Sequence, residues 1–318
     1  MISSILGWLG IVVFSLLFGW LALRAWRANN KVLKWAGTVL SGLLALILSL
    51  ASIVILIGMV KWYTPRNVPV PDLSVPLTPE NIQRGEHLAI SFCATCHSVT
   101  GEMPMTGGVD LAKDLSVPLG SFISVNLTPA GPLKDWTDGE IFNALRFGVD
   151  RNGQALVNMS QIRARYMSDE DIQAVIAYLR SQPPVDNETQ DPPDKLNMLA
   201  FFLGGANLLP PEPPSITGVI TAPPKGATVE YGEYILSFQD CRVCHGENLK
   251  GGVEGQLAPI GWNLELVKNW ELEQFIATFR NGVDPNGHEL SANMPWKAIG
   301  RMDDVELEAM YLYLVSLP

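Results

Sequence analysis

The chain has 318 residues, enough for two ordinary domains, and only 17% of them are charged. The first 66 residues hold six of the 22 basic residues and none of the 32 acidic ones, so residues 67–318 carry 16 basic and 32 acidic residues and a net charge of −16. A region this acidic repels phosphates, which excludes nucleic acid as a partner, and it would steer a basic protein toward itself.

Two uncharged apolar stretches, 1–23 and 35–60, begin the chain. A helix needs about 20 apolar residues to cross about 30 Å of hydrocarbon, so both are long enough to span a membrane. A cleaved signal peptide is the alternative for the first stretch, but its start is uncharged and the basic residues follow the apolar run. Residues 1–66 are therefore predicted to form a transmembrane helical hairpin.

The orientation of this anchor follows from the basic residues between the two stretches. Arg24, Arg27, Lys31 and Lys34 mark the cytoplasmic loop, which leaves both ends of the hairpin outside. We expect a multi-pass protein of the inner (cytoplasmic) membrane, with everything after the hairpin on the periplasmic side.

Two copies of one pattern follow the hairpin, each about 90 residues long. They predict two domains, 76–185 and 228–318, joined by a linker at 186–227. The linker is rich in proline and contains an apolar segment, 196–209, that is too short to cross a membrane. We expect this segment to form a helix packed between the domains or against a partner, with interfacial membrane contact as the alternative.

Each copy is predicted to be helical, which gives an all-α chain: a transmembrane hairpin followed by two tandem domains. Ser168 with Asp171, and Asp303 with Glu306, have the spacing of N-terminal capping boxes. A few helices joined by long loops make a poor core, so a large flat apolar group is expected at the centre of each copy. The predicted helices are 81–92, 137–147 and 168–181 in the first copy, and 228–238, 272–280 and 303–316 in the second.

All four cysteines belong to Cys-x-x-Cys-His motifs, the attachment signature of a c-type haem. Two thiols at this spacing form thioethers to one porphyrin edge, and the adjacent histidine becomes the proximal iron ligand. A redox dithiol or half a zinc site is the alternative, but a histidine follows both motifs and no further cysteine is present. We expect two covalently bound haem c groups, held by Cys93, Cys96 and His97 and by Cys241, Cys244 and His245.

The sixth iron ligands are predicted to be Met159 and Met294, which occupy equivalent positions before the last helix of each copy. The alternative is that each methionine packs in a core. Packing is the expected role of Met167 and Met302, and Met103 and Met105 lie too close to Cys96 to reach the opposite haem face.

Other side chains are weaker candidates for the haem sites. His87 is expected on the surface or in packing, whereas His288 is expected in a loop, where it could approach a propionate or replace methionine as a ligand. Propionate or haem-edge contacts are expected from Asn126, Trp136 and Arg146 in the first copy and from Asn263, Trp270 and Arg280 in the second.

Methionine ligation fills the last axial position and raises the reduction potential, so these irons would transfer electrons rather than bind substrate. The sequence therefore predicts an electron-transfer protein and not an enzyme. A haem-based sensor or an assembly protein is one alternative. A peroxidase-like enzyme is the other, but it would need an iron open to peroxide.

The region after residue 80 resembles the class I cytochrome c superfamily. Within it, the chain is similar to the cytochrome subunits of membrane-bound alcohol, aldehyde and gluconate dehydrogenases, which usually carry three haem domains and a C-terminal anchor. The resemblance implies membrane association and a redox protein partner, either a dehydrogenase, an oxidase or a soluble electron carrier, within a complex. The anchor followed by two haem domains also resembles the dihaem subunit of cbb-type oxidases, and length and haem number resemble dihaem cytochrome c peroxidase. The motifs behind the dehydrogenase resemblance are Arg84-Gly85-Glu86, Asn126-Leu127-Thr128-Pro129, Trp136-Thr137-Asp138, Arg146-x-Gly148-Val149 and Met167-Ser168-Asp169-Glu170-Asp171.

Overall fold

The computed structural model describes residues 2–318, so Met1, the first residue of the predicted anchor, lies outside the described residues. The chain is mostly helical and begins with two apolar helices, which confirms that part of the predicted fold. It divides into two compact units. The first contains the residues before Arg66 together with Lys195–Pro211, and the second contains Arg66–Asp194 and Glu212–Pro318.

The first unit is built on helices α1 (Ile2–Trp26) and α2 (Lys31–Tyr63), which pack against each other. Several polar contacts join them; for example, Ser15 Oγ donates to the carbonyl of Ala45 (3.1 Å), and Trp8 Nε1 donates to that of Ser52 (3.0 Å). Most of their large apolar side chains point outward and are exposed. Both helices are long and apolar enough to cross a membrane, which makes them candidate membrane anchors.

A short helix from the proline-rich linker, α7 (Met198–Gly205), also belongs to the first unit and packs on α2. The two backbones approach so closely that a Cβ at Gly58 would lie 1.9 Å from the carbonyl oxygen of Phe201. Phe201 is buried with Ile55 and Met59 of α2. This position differs from the one between the two repeats that was expected for the apolar segment.

The second unit contains both repeats, and its helices follow the predicted order. A π-helical turn, Ala89–Cys93, joins α3 to α4, and short 3₁₀ turns lie in the loops between helices. The two short strands are β1 (Gly120–Phe122) and β2 (Asp194–Leu196). The helices of the first repeat are α3 (Pro79–Leu88), α4 (Ala94–His97), α5 (Asp138–Phe147) and α6 (Asp169–Ser181); those of the second are α8 (Val229–Phe238), α9 (Cys241–His245), α10 (Leu272–Asn281), α11 (Trp296–Ile299) and α12 (Asp304–Ser316).

The first and last helices of each repeat cross at a glycine. A Cβ at Gly85 of α3 would lie 1.9 Å from the carbonyl oxygen of Ala174 in α6. A Cβ at Gly232 of α8 would lie at the same distance from that of Ala309 in α12. Only glycine permits this approach, which explains why both repeats carry a Gly-Glu pair before the cysteines.

The two repeats are joined by a reciprocal set of hydrogen bonds. His87 of α3 bonds Glu306 of α12 (2.5 Å), and Tyr234, which occupies the equivalent position in α8, donates to Asp171 of α6 (2.5 Å). Arg84 contacts both carboxylates, at 2.8 Å from Asp171 and 3.2 Å from Glu306. His87 was expected on the surface or in packing, and its bond to Glu306 of the other repeat was not predicted.

Candidate functional site

One large cavity lies in the second unit, and both Cys-x-x-Cys-His motifs line it. Its volume is about 1150 Å³, above the range of about 300–1,000 Å³ typical of a pocket for one small ligand. Apolar side chains from both repeats, among them Phe92, Leu179, Phe275 and Leu314, contribute to its wall. The lining residues from the motifs are Cys93, Cys96, His97, Cys241, Cys244 and His245.

The first motif is held by the π-helical turn and α4. His97 Nδ1 donates a hydrogen bond to the carbonyl of Val125 (3.1 Å). This bond fixes the tautomer and leaves Nε2 available to a metal. Burial lowers the pKa of His97, which favours the neutral imidazole that ligates iron.

The second motif repeats this arrangement with a tighter contact. His245 Nδ1 donates to the carbonyl of Trp262 at 2.6 Å. The imidazole lies directly on the backbone of Gly261, where a Cβ would come within 2.7 Å of Nδ1. Any other residue at this position would displace the ring, so the glycine keeps His245 aimed at the cavity.

Burial also acts on the thiols. It raises the pKa of both Cys93 and Cys241 to about 12, a neighbouring cysteine or carboxylate adding to the effect. A redox dithiol depends on an accessible thiolate, which this environment disfavours. The environment therefore suits cysteines spent on covalent attachment better than it suits thiol exchange.

Both predicted axial methionines line the same cavity. Met159 and Met294 are half-buried and pack against the core. Each lies in a loop that begins where the middle helix of its repeat ends, at Gly148 (φ +61°) or Gly282 (φ +73°). These left-handed glycines turn the chain back, and the carbonyl of each accepts a bond from the loop, from Leu156 or Leu290 respectively.

Other methionines are placed as packing residues. Met167, Met302 and Met105 are fully or almost fully buried. Of the residues that the structure describes, those lining the cavity do not include these three or Met103. His288 lines the cavity but is exposed, and its Nδ1 bonds Asp284 at 3.1 Å, in keeping with the loop role expected for it.

The expected propionate contacts divide into two groups. Trp136 and Trp270 do line the cavity. The asparagines and arginines are absent from its lining among residues 2–318, and they make structural contacts instead. Asn126 is almost fully buried and donates to the carbonyl of Val185 (2.9 Å), and Asn263 accepts a bond from Glu265 N as the cap of a 3₁₀ turn.

The two arginines tie the middle helix of each repeat to the start of its last helix. Arg146 bonds the carbonyl of Arg165 and the carboxylate of Asp169. Arg280 makes the matching pair of bonds, to the carbonyl of Gly300 and to Asp304. The repeated arginine therefore stabilises the fold, and its guanidinium does not contribute to the described lining of the cavity, where a propionate contact was expected.

The sequence did not reveal two half-buried carboxylates that line the cavity. Asp194, in the first part of the linker, accepts a hydrogen bond from Val157 N (2.8 Å), and burial raises its pKa to about 6. Asp240 accepts one from Arg163 N (2.8 Å), and burial likewise raises its pKa to about 6. Asp240 had a sequence signal, since it precedes Cys241, but nothing in the pattern marked Asp194.

These residues fit c-type haem. The cavity is large and mainly apolar, it presents paired thiols at the attachment spacing, and two imidazoles are held with Nε2 available to iron. Thioether sulfur from methionine is present in the same space. Cys93, Cys96 and His97, and Cys241, Cys244 and His245, are the residues that would hold the group.

The comparison with known families gives the same answer. Residues 80–179 and 227–314 match the family described as cytochrome c oxidase, cbb3-type, subunit III. The two matched segments each contain one Cys-x-x-Cys-His motif, and together they cover more than half of the chain.

Similar proteins include cytochrome subunits of dehydrogenases. The gluconate 2-dehydrogenase cytochrome c subunit of Pantoea cypripedii is 31% identical over 272 residues, which cover 74% of this chain and 59% of that protein. The alcohol dehydrogenase (quinone) cytochrome c subunit of Gluconacetobacter polyoxogenes is 26% identical over 59% of this chain and 38% of its own length. The fructose dehydrogenase cytochrome subunit of Gluconobacter japonicus is 29% identical over 28% of this chain and 21% of its own length.

The chain thus spans less than two thirds of the relatives that it matches. These relatives are cytochrome subunits of dehydrogenases. It belongs to the family of the cbb3-type cytochrome c oxidase subunit III, and it is an electron-transferring cytochrome c with covalently bound haem.

Proposed function

We propose that the chain is a membrane-anchored dihaem cytochrome c that passes single electrons between a respiratory or dehydrogenase complex and another carrier. The observation that carries this proposal is the shared cavity, into which two attachment motifs and two methionines project from equivalent positions. The two segments matched by the family support a tandem arrangement of two cytochrome c domains.

Equivalent residues have the same proposed roles in each repeat. Haem c supplies a reversible one-electron iron couple when bound. The cysteines hold the group covalently, and the histidine is oriented by its bond to a backbone carbonyl. His97 and Met159 are the proposed axial ligands of one iron, and His245 and Met294 those of the other.

Two full axial sets favour electron transfer over peroxide chemistry, since neither iron would offer a vacant position. Electron gain and loss would then need little rearrangement. The apolar wall also keeps water away from the iron, which is a further condition for a stable reduction potential.

The proposed location is the inner membrane, with α1 and α2 crossing it. The four basic residues near the α1–α2 turn support a cytoplasmic position for that turn, by the positive-inside rule. The second unit would then lie on the periplasmic side. There it would meet a dehydrogenase, an oxidase or a soluble carrier, as the dehydrogenase-subunit names of its relatives suggest.

Haem analysis of the full-length protein purified from membranes tests this proposal. We expect haem staining to survive denaturing electrophoresis, pyridine haemochrome analysis to give two haems per chain, and spectra to show two low-spin irons with methionine ligation. A single haem, a high-spin resting iron or peroxide turnover would contradict the proposal. Protease accessibility in sealed vesicles of known orientation would test the periplasmic placement.

A further inference from the structure

An exposed apolar patch lies at the edge of the second haem site. It consists of Val243, Val253, Ile260 and Trp262, which we call the Trp262 patch. Trp262 is 66% exposed, Ile260 57% and Val253 67%. A tryptophan this exposed is unusual on a soluble surface, and a group of apolar side chains beside a redox site is typical of an interaction surface.

Three of these four side chains also line the cavity proposed for the haem. Val243, Ile260 and Trp262 line the cavity as well as contacting solvent. The backbone carbonyl of Trp262 accepts the hydrogen bond from His245 Nδ1. The patch is therefore the outer surface of the wall whose inner surface positions the iron ligand.

Backbone hydrogen bonds hold the patch together. Gly261 N donates to the carbonyl of Cys244 (2.8 Å), and Gly252 N donates to that of Gly261 (2.9 Å). These bonds fix Val253 beside Ile260 and Trp262. A preorganised platform of this kind loses little conformational freedom when a partner binds.

The first repeat lacks such a patch. There Thr95 replaces Val243, and Ile123 and Val125, the equivalents of Ile260 and Trp262, are half-buried. The segment after α6 lies over this side of the first repeat: Ile123 N donates to the carbonyl of Pro193 (3.0 Å). Within the part of the chain that is described, the second repeat leaves the corresponding surface open.

The charges near the patch are predominantly acidic. Glu254 follows Val253 and is exposed, and Glu289 is exposed at the edge of the cavity. Two cations lie nearby: Lys250 is paired with Glu265 (3.1 Å), and Arg242, which precedes Val243, donates to the carbonyl of Glu247 and to Tyr313 Oη (3.0 Å). With a net charge of −16 over residues 67–318, this surface complements a basic protein.

We propose that the Trp262 patch is the docking surface for a redox protein whose apolar contact face is rimmed by basic residues. This inference rests on the proposed function, since it assigns a side of the second haem site to the partner. The step itself is the transfer of one electron from the reduced chain to the oxidised partner. No bond forms or breaks, and no proton moves.

Stopped-flow electron transfer from the full-length reduced protein tests the proposal, with a basic mitochondrial-type cytochrome c as the oxidised probe. A tris(phenanthroline)cobalt(III) complex serves as a small oxidant that needs no docking surface. The measured quantity is the ratio of the two bimolecular rates, which separates loss of docking from damage to the haem site. We expect Trp262→Ser and Val253→Ser each to lower this ratio about tenfold or more, as loss of a binding hot spot does.

Matched controls lie elsewhere in the second unit. Val219 is 77% exposed but does not contribute to the described lining of the cavity, so Val219→Ser should leave the ratio unchanged. Glu254→Lys should weaken the salt dependence of the rate, whereas Glu230→Lys on α8 should have a smaller effect. Acetylating the lysines of the probe cytochrome should greatly lower the ratio between its bimolecular rate and that of the cobalt complex.

The outcomes are distinguishable. If Trp262→Ser and Val253→Ser change the ratio no more than Val219→Ser, or if the acetylated probe reacts as fast as the native one, the docking inference is overturned. If the unmodified protein carries no reducible haem or fails to reduce the cobalt complex, the proposed function fails instead. A lowered ratio in both patch variants with intact haem spectra supports the docking surface.

Discussion

Met159 and Met294 show how one residue type takes a different role with small changes of position. Both line the cavity, whereas Met167 and Met302, eight residues further along, are buried in the core beside the last helix of each repeat. The two pairs differ in their distance from the start of the last helix. A methionine directly before that helix packs in the core, whereas one in the preceding loop can face the cavity.

Replacing each methionine by leucine should separate these roles. Met159→Leu or Met294→Leu should remove the methionine-to-iron charge-transfer band of one haem and lower its reduction potential, because leucine offers no sulfur ligand. Near-infrared spectroscopy and redox titration measure both effects. Met167→Leu and Met302→Leu are the controls: they should keep both bands and cost less than about 1.5 kcal/mol of stability. A band lost in a control variant instead would reassign the ligand.

Asp194 gives a pH dependence that can be measured. Burial raises its pKa from 3.8 to about 6, so the folded state disfavours the carboxylate. Because the pKa of this acid is higher in the folded state, the free energy of unfolding is greatest at low pH. It falls as the pH rises above 3.8 and reaches its lower, constant value once the pH passes 6. Asp194→Asn should therefore stabilise the protein by about 1–2 kcal/mol at pH 7 and leave it unchanged near pH 4.

Thermal unfolding of the full-length protein in detergent, followed between pH 4 and 8, measures this effect. The asparagine side chain still accepts the hydrogen bond from Val157 N, so the comparison isolates the charge. Asp186→Asn, in the same segment, is the control and should show no matching pH dependence. Equal destabilisation of the Asp194 variant at all pH values would show that its carboxylate matters for packing rather than charge.

The helix crossings act at the scale of elements. In both repeats, the first helix passes over the last at a glycine, with a carbonyl oxygen where a Cβ would lie. The helices themselves were predicted to within a few residues of their bounds, whereas the repeated Gly-Glu and Tyr-Leu motifs gave no prediction that these surfaces meet.

Gly85→Ala and Gly232→Ala should each force a helix pair apart. A methyl group 1.9 Å from a carbonyl oxygen is impossible without backbone movement, and overpacking of this kind costs about 1–3 kcal/mol or more. We expect a lower melting temperature and weaker haem retention in both variants. Gly226→Ala, whose Cβ would lie 3.7 Å from Thr228, is the control and should be close to neutral.

Contacts between distant segments were harder to predict than the elements themselves. Asn126 and Arg146 stood at repeated positions, and repetition alone does not tell a structural hydrogen bond from a cofactor contact. The linker helix α7 was expected between the repeats or against a partner, with interfacial membrane contact as the alternative. In the structure, Gly58 and Gly205 let it lie on α2. The local sequence pattern predicts where a helix forms. The surface on which that helix packs depends on the shapes of distant segments, which the sequence pattern does not give.

At the scale of the whole second unit, the repeats are interlocked through equivalent positions. Tyr234 Oη also accepts a hydrogen bond from Ser168 N (2.8 Å). In a complete capping box the N3 side chain accepts this return bond from the N-cap N–H, but the Asp171 side chain does not do so here. In the second repeat, Glu306 makes that return bond to Asp303 N itself (3.2 Å). The second repeat thus completes the helix end of the first, and breaking this set of bonds between the repeats should weaken both.

Glu306 is the centre of this set and the place to test it. Burial alone would raise its pKa, but the hydrogen bond and charge of His87, together with Lys225 and Arg84, outweigh burial and lower the pKa to about 2. A lowered folded pKa in an acid means that the stabilisation is full above pH 4.5 and is lost as the pH falls toward 2.

Glu306→Gln should cost about 3 kcal/mol at pH 7, since its removal leaves Arg84, Lys225 and His87 without their shared carboxylate, although these side chains are partly exposed and regain some hydration. The variant should also lose the acid-dependent part of the unfolding curve. Chemical unfolding between pH 3 and 7 measures both, with Glu230→Gln on the exposed side of α8 as the control. A double-mutant cycle with His87→Gln should give a coupling energy of about 1 kcal/mol or more. Additive losses would instead show that each side chain supports its own repeat, and that this set of bonds does not couple the stability of the two repeats.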